Sequence, residues 1–221
     1  TSLTRAIAYR MVAGFAKDEL LSGVTTIRTV GGPGDFDTRL RDEIKAGTKI
    51  GPRILASNQG ISVPGELKMP PEMVRAVCEK AHADGYLVAA HVESPEGVRV
   101  ALENGVDSIE HGAKLTDEMV KLFKERGAFL CTTISPALPY ALFDRSITNA
   151  TKRSAELTDI DSITGSIEKG KAADLIVTAQ NPLKDLKALR NLEMVISGGR
   201  FIEHPKIKKR KQVEAELDKF L

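Results

Sequence analysis

Between residues 86 and 134 one pattern repeats, and it constrains the fold more than anything else in the chain. Apolar runs over 86–91, 106–111 and 128–134 alternate with helix-length segments over 95–103 and 116–125. Ser94-Pro95-Glu96 predicts a helix start with a serine cap and proline in the first turn, and Thr116-Asp117-Glu118 predicts another. Gly105 and Gly127 close the two helices. Continuous apolar strands alternating with helices form a parallel sheet covered by helices. Two of these strands end in histidine, His91 and His111. Consecutive parallel strands joined by a crossover helix bring their carboxyl ends side by side, so both imidazoles reach one rim. In an α/β barrel that rim carries the chemistry, and neutral imidazole is the commonest metal ligand.

The rest of the chain extends this pattern and then leaves it. Ala6, Tyr9, Ala13, Ala16, Leu20 and Leu21 recur at helical spacing over 1–23, with Gly23 as the cap. A β-branched run over 24–30 closes on Gly31-Gly32 and predicts a strand. A helix over 38–46, a strand over 52–57 and a helix over 72–83 follow. Beyond residue 160 short strands replace the alternation: a strand and turn over 165–170, a strand over 173–178, and a hairpin of 192–197 with 200–203 around Gly198-Gly199. Val213, Leu217, Phe220 and Leu221 share one face of a last helix. The expected organisation is an α/β, TIM-type (β/α)8 barrel region over 1–160, only partly represented. A small β-sandwich-like domain over 161–205 and a C-terminal helix over 206–221 follow it.

Composition narrows the function classes. With 42% hydrophobic and 28% charged residues the chain is globular rather than disordered. A net charge of +2 predicts neither nucleic acid nor an anionic membrane as partner, and the basic run from Lys206 to Lys211 reads as a solvated helix entry. No apolar run reaches the ~18 residues that cross a bilayer. Cys78 and Cys131 form no disulfide framework and no metal spacing, and Cys131 reads as a buried thiol in its apolar run. A reducing cytoplasm fits these features. The oligomeric state stays open, a homo-oligomer included.

The chain resembles the amidohydrolase superfamily, within it the imidazolonepropionase and Xaa-Pro dipeptidase-like members. The residues that carry the resemblance run in the family's order. They are Ser22-Gly-Val-Thr-Thr26 with Arg28 and Gly31-Gly32, then Gly51-Pro-Arg-Ile54, Ala81-His82 and Ala89-Ala-His91. Asn104-Gly-Val-Asp-Ser-Ile-Glu-His-Gly112 and the stretch from Gly165 to Val177 complete the set. The resemblance implies that His91 and His111, at the ends of the fifth and sixth barrel strands, hold a divalent metal, zinc first. Such a metal acts as Lewis acid and lowers the pKa of a bound water, and the resulting hydroxide attacks an amide, peptide or cyclic C–N carbon of a small-molecule substrate.

The family's His-x-His strand, its lysine at the end of the fourth strand and its aspartate at the end of the eighth have no counterpart in this sequence. About five parallel strands are countable where a closed barrel uses eight and roughly 250 residues. Two passages are abrupt, Val63-Pro-Gly-Glu66 and the stretch from Arg145 to Thr158. The expectation is therefore a piece of a longer chain, with segments missing before Thr1 and near these two joins. The general base is then an acidic residue outside these segments.

Other polar residues carry weaker readings. Arg28 could reach a substrate carboxylate, and Tyr140 and Asp144 lie in a loop at the rim. His82 reads as a packing or hydrogen-bonding residue, His204 as a surface residue and Asp174 as a fold residue, while Asp107 and Glu110 receive no role. The runner-up function is a catalytically inactive barrel scaffold or binding protein. A third is a metal-free enzyme that uses the two imidazoles for acid–base work.

Overall fold

Helix α1 (Ser2–Leu21) leads into strand β1 (Thr26–Arg28), helix α2 (Phe36–Lys45) and strand β2 (Arg53–Leu55). The computed structural model describes residues 2–61, 69–132 and 149–207, with 209 and 215. These fall into two compact units, 1–60 with 139–221 and 61–138.

In the first unit β1 and β2 pair in parallel, Ile27 opposite Ile54. Tyr9, Ala16, Phe36, Leu40 and Ile54 form its core. Tyr9 meets Phe36 edge to face at 5.4 Å, and its hydroxyl donates to Glu43 at 2.7 Å, which ties α1 to α2. A π-helical turn over Asn149–Arg153 runs into the short helix α6 (Ser154–Leu157). Strands β6 (Leu175–Thr178), β7 (Leu192–Ser197) and β8 (Arg200–Glu203) make an antiparallel sheet. Gly198 and Gly199, at φ of +55° and +79°, supply the left-handed turn that the β7–β8 hairpin requires.

Asp174 links this sheet to β1 and β2. Its carboxylate, with a side chain 2% exposed, accepts from the Arg53 guanidinium at 2.7 Å, the Thr164 hydroxyl at 2.9 Å and the Gly198 N–H at 2.8 Å. The fold role expected of Asp174 is the one it fills.

The second unit contains helix α3 (Pro71–Ala83), strand β3 (Ala89–Val92), helix α4 (Pro95–Glu103), strand β4 (Ser108–His111), helix α5 (Asp117–Arg126) and strand β5 (Phe129–Cys131). The three strands are parallel, in the order β3-β4-β5. The caps are those the sequence predicts. Ser94 Oγ accepts from the Gly97 N–H, Thr116 Oγ1 accepts from the Met119 N–H, and Gly127 closes α5. Val98, Leu102, Ile109 and Phe123 fill the core between sheet and helices, with Ala90, Val92 and Leu130 packed against it. Burying each large apolar side chain contributes about 1.5–3 kcal/mol.

Some expectations change. The described residues show no closed barrel: their five parallel strands lie in a two-stranded and a three-stranded sheet. The small β unit is a single three-stranded sheet, and residues 165–170 form turns rather than a strand, because Gly165 and Gly170 both sit at positive φ. Cys131 is half-buried, whereas Cys78 is the buried thiol. Strand alternation turns Leu130 into the core and Cys131 to the other face. Residues 63–66, 140, 144 and 145–148 and most of the predicted last helix lie outside the described residues.

Candidate metal centre

The face of β3-β4-β5 away from the helices carries the candidate site. Ala90, Ile109 and Leu130 share one rung and face the core, so the rungs on either side face the other way. One of these holds Ala89, Ser108 and Phe129, the other His91, Glu110 and Cys131. His91 stands out from this face with its side chain 69% exposed.

His111 follows Glu110 and lies opposite Val92 in the register. Regular alternation would point it to the helix side. Instead its φ is +70°, and the Gly112 N–H donates both to the Glu110 carbonyl at 3.0 Å and to the Val92 carbonyl at 2.9 Å. A hydrogen bond spanning two residues around a positive φ is the rarer, strained hand of γ-turn. A histidine in this backbone region costs roughly 1–2 kcal/mol. Gly112 continues the bend at φ +82°, a backbone conformation that favours glycine. The turn swings the His111 ring onto that of His91. Their centroids are 4.4 Å apart with the planes at 69°.

Two imidazoles on a tetrahedral zinc, with Zn–N about 2.0–2.1 Å, have centroids about 5 Å apart. The observed rings are somewhat closer than that and stand edge to face. Among the described residues no group of three His, Cys, Asp or Glu side chains is arranged to hold a metal ion. The acidic group nearest to His91 in sequence, Glu93, places Oε1 3.7 Å from His91 Nε2, beyond hydrogen-bond range. On the same face of the sheet Ser108 and Glu110 are both buried, and the Ser108 hydroxyl donates to Glu110 Oε1 at 2.9 Å.

The remaining residues singled out by the sequence stand elsewhere. His82 Nε2 lies 2.8 Å from Asp107 Oδ2, which also accepts from the Val88 N–H, and so pins α3 to the entry of β3. His204 is exposed. Arg28 ends β1 in the first unit, and Tyr140 lies outside the described residues.

A second polar cluster follows β1 and β2, which sequence reasoning missed. Asp37 accepts from the Thr29 hydroxyl and from the N–H groups of Thr38, Ser57 and Asn58. Burial raises its pKa, but these four donors outweigh burial and hold it below the usual carboxylate range. With its lone pairs committed to the scaffold, Asp37 organises loops.

No family model matches the chain. It is 38% identical over 63 residues to an uncharacterized protein of Mycobacterium tuberculosis, which covers 28% of this chain and 17% of that protein. It is 29% identical over 99 residues to the ochratoxinase of Aspergillus niger, covering 43% of this chain and 20% of that enzyme. Both alignments thus span about a fifth or less of the relative's length. In three dimensions it superimposes on a Bifidobacterium longum protein assigned as a prolidase, with a TM-score of 0.79 and 28% identity over 96% of this chain and 81% of the other. The chain is related to the amidohydrolase superfamily. For this superfamily relative the structural likeness extends over both units, although the described strands close no barrel.

Proposed function

We propose that this chain carries half of the metal shell of an amidohydrolase-type enzyme that hydrolyses an amide, peptide or cyclic C–N bond. The observation that supports this most is the γ-turn at His111, which spends backbone strain to set one imidazole against another. Strain of this kind persists where the surroundings over-determine it and clusters at functional sites. The solved relative assigned as a prolidase and the curated relative named ochratoxinase point to hydrolysis as the reaction class.

In this reading His91 and His111 hold the cation through neutral imidazoles. A divalent cation there polarises a carbonyl oxygen and lowers the pKa of water. Zinc heads the candidates, and manganese, iron and nickel suit the same ligand type. The rigid sheet below fixes the rings, and the strained turn keeps His111 from rotating back to the helix side. Arg28 and Tyr140 are proposed substrate contacts, Arg28 for a carboxylate.

Metal analysis tests the proposal. Purified protein is expected to hold zinc or another divalent ion at near-stoichiometric level and to lose it in a His91→Ala, His111→Ala double variant. Turnover of Xaa-Pro dipeptides or of lactams should vanish on chelation and return with metal. Metal retained in the double variant would falsify the assignment. Metal-free protein whose turnover follows an imidazole titration would favour acid–base work by the histidines, and protein with neither metal nor turnover would favour a scaffold.

A further inference from the structure

We infer that the free edge of β3 joins two copies of this chain, by antiparallel pairing of residues 86–92 across a two-fold axis. Strand β3 is an outer strand in the order β3-β4-β5, and among the described residues no strand pairs with its other edge. The Val88 carbonyl accepts from the Ser108 N–H, and the Val92 carbonyl accepts from the Gly112 N–H. Residues 88, 90 and 92 therefore turn their main-chain groups toward β4. Successive strand residues turn these groups to opposite sides. Ala89 and His91 thus present their N–H and C=O groups outward. Such a row is a ready template for another strand. The pairing uses the main chain of His91, not its ring, and so does not require a metal.

The segment lacks the devices that keep an edge unpaired. Sheet proteins blunt their edges with charges, proline or bulges. The run Tyr86-Leu-Val-Ala-Ala-His-Val92 holds no Lys, Arg, Asp, Glu, Pro or Gly, and the β3–β4 register runs without a bulge. Tyr86 and Leu87, which lead into β3, are 69% and 54% exposed. Short uncharged runs of strand-forming residues are the ones that pair with their own kind. A second copy is therefore the occupant that this edge fits. With the two-fold on Ala90, Ala89 of each copy stands opposite His91 of the other, and the two pairs exchange four hydrogen bonds. No like charges meet within the paired run, and a net charge of +2 adds little long-range repulsion. The same edge serves both copies, so the contact closes at a dimer.

Sedimentation of the full chain over a range of concentrations, with hydrogen exchange read at single amides, tests this. A monomer–dimer equilibrium at micromolar concentration is expected, with the Ala89 and His91 amides gaining protection in the dimer. Ala89→Pro removes an outward N–H and spares the ladder to β4, in which that N–H takes no part. It loses two of the four bonds, one from each copy, and its dimer Kd is expected to rise about 10-fold or more. Ala89→Lys puts a charge on the edge at an exposed position and is expected to weaken the dimer likewise. A parent that stays monomeric throughout the micromolar range overturns the inference. Parental dimerisation in Ala89→Lys, or in folded Ala89→Pro, overturns the assignment of this edge. Protection of the Ala89 and His91 amides in the monomer means that a strand of the same chain holds the edge, and overturns it equally. Assemblies that grow beyond a dimer overturn the two-fold pairing.

Discussion

At the scale of single residues, His111 shows how one backbone angle brings two side chains together. A histidine that obeyed strand alternation would lie on the helix-covered face, away from His91. The φ of +70° undoes that and brings the rings to 4.4 Å. If the strain is retained for the ring, removing the ring should expose its cost. His111→Gly is expected to be about 1 kcal/mol more stable than His111→Ala, since only alanine keeps the Cβ that the left-handed backbone disfavours. Urea unfolding of the two metal-free variants measures the difference, and equal midpoints would show that the turn is unstrained. The sequence revealed the histidines, because each ends an apolar run. It did not reveal how they meet, because side-chain alternation assumes regular strand angles. The adjacent Gly112 was the available signal that the strand bends there.

At the scale of elements, helix ends were the most legible features, since caps are local chemistry. Ser94, Thr116 and Gly127 mark their helices through one side chain or one φ. Strand ends were less legible. The run 24–30 contains only the three strand residues Thr26–Arg28, although the Thr29 N–H still donates to the Leu55 carbonyl while its hydroxyl turns to Asp37. That carboxylate lies in the first turn of α2, yet three of its four donors come from 8 to 21 residues away, which no local pattern encodes. The cluster has a consequence for pH. Asp37 is held below its ordinary pKa in the fold, so it stabilises the protein above the unfolded value of about 3.9, and that contribution disappears as pH falls through the depressed folded value. Asp37→Asn is expected to flatten the acid limb of stability against pH below about 4 and to cost about 1–3 kcal/mol at neutral pH. Urea midpoints at several pH values would show it, and parallel curves for parent and variant would refute it.

At the scale of the whole molecule, the alternation of strands and helices was readable because periodicity reports burial directly. Long-range pairing was not. Arg53 and Asp174 are 121 residues apart, and nothing near either one names the other. Yet this ion pair, with the bonds from Thr164 and Gly198, joins the β1–β2 sheet to the antiparallel sheet of the first unit. A buried carboxylate deprived of its cation is costly, about 3–5 kcal/mol in fully buried pairs. Arg53 keeps 30% of its side chain exposed, so water screens part of this and the low end applies. Arg53→Met is therefore expected to destabilise the protein by about 3 kcal/mol. Asp174→Asn keeps the Gly198 contact through its carbonyl oxygen and turns its amide NH2 toward the Thr164 hydroxyl, which can accept, so it should cost less. Because one charge is already gone in Asp174→Asn, adding Arg53→Met to it should cost far less than Arg53→Met alone. Urea unfolding around this double-mutant cycle reads the coupling directly. Additive losses would mean that the two sheets are joined by packing and that the pair contributes nothing of its own.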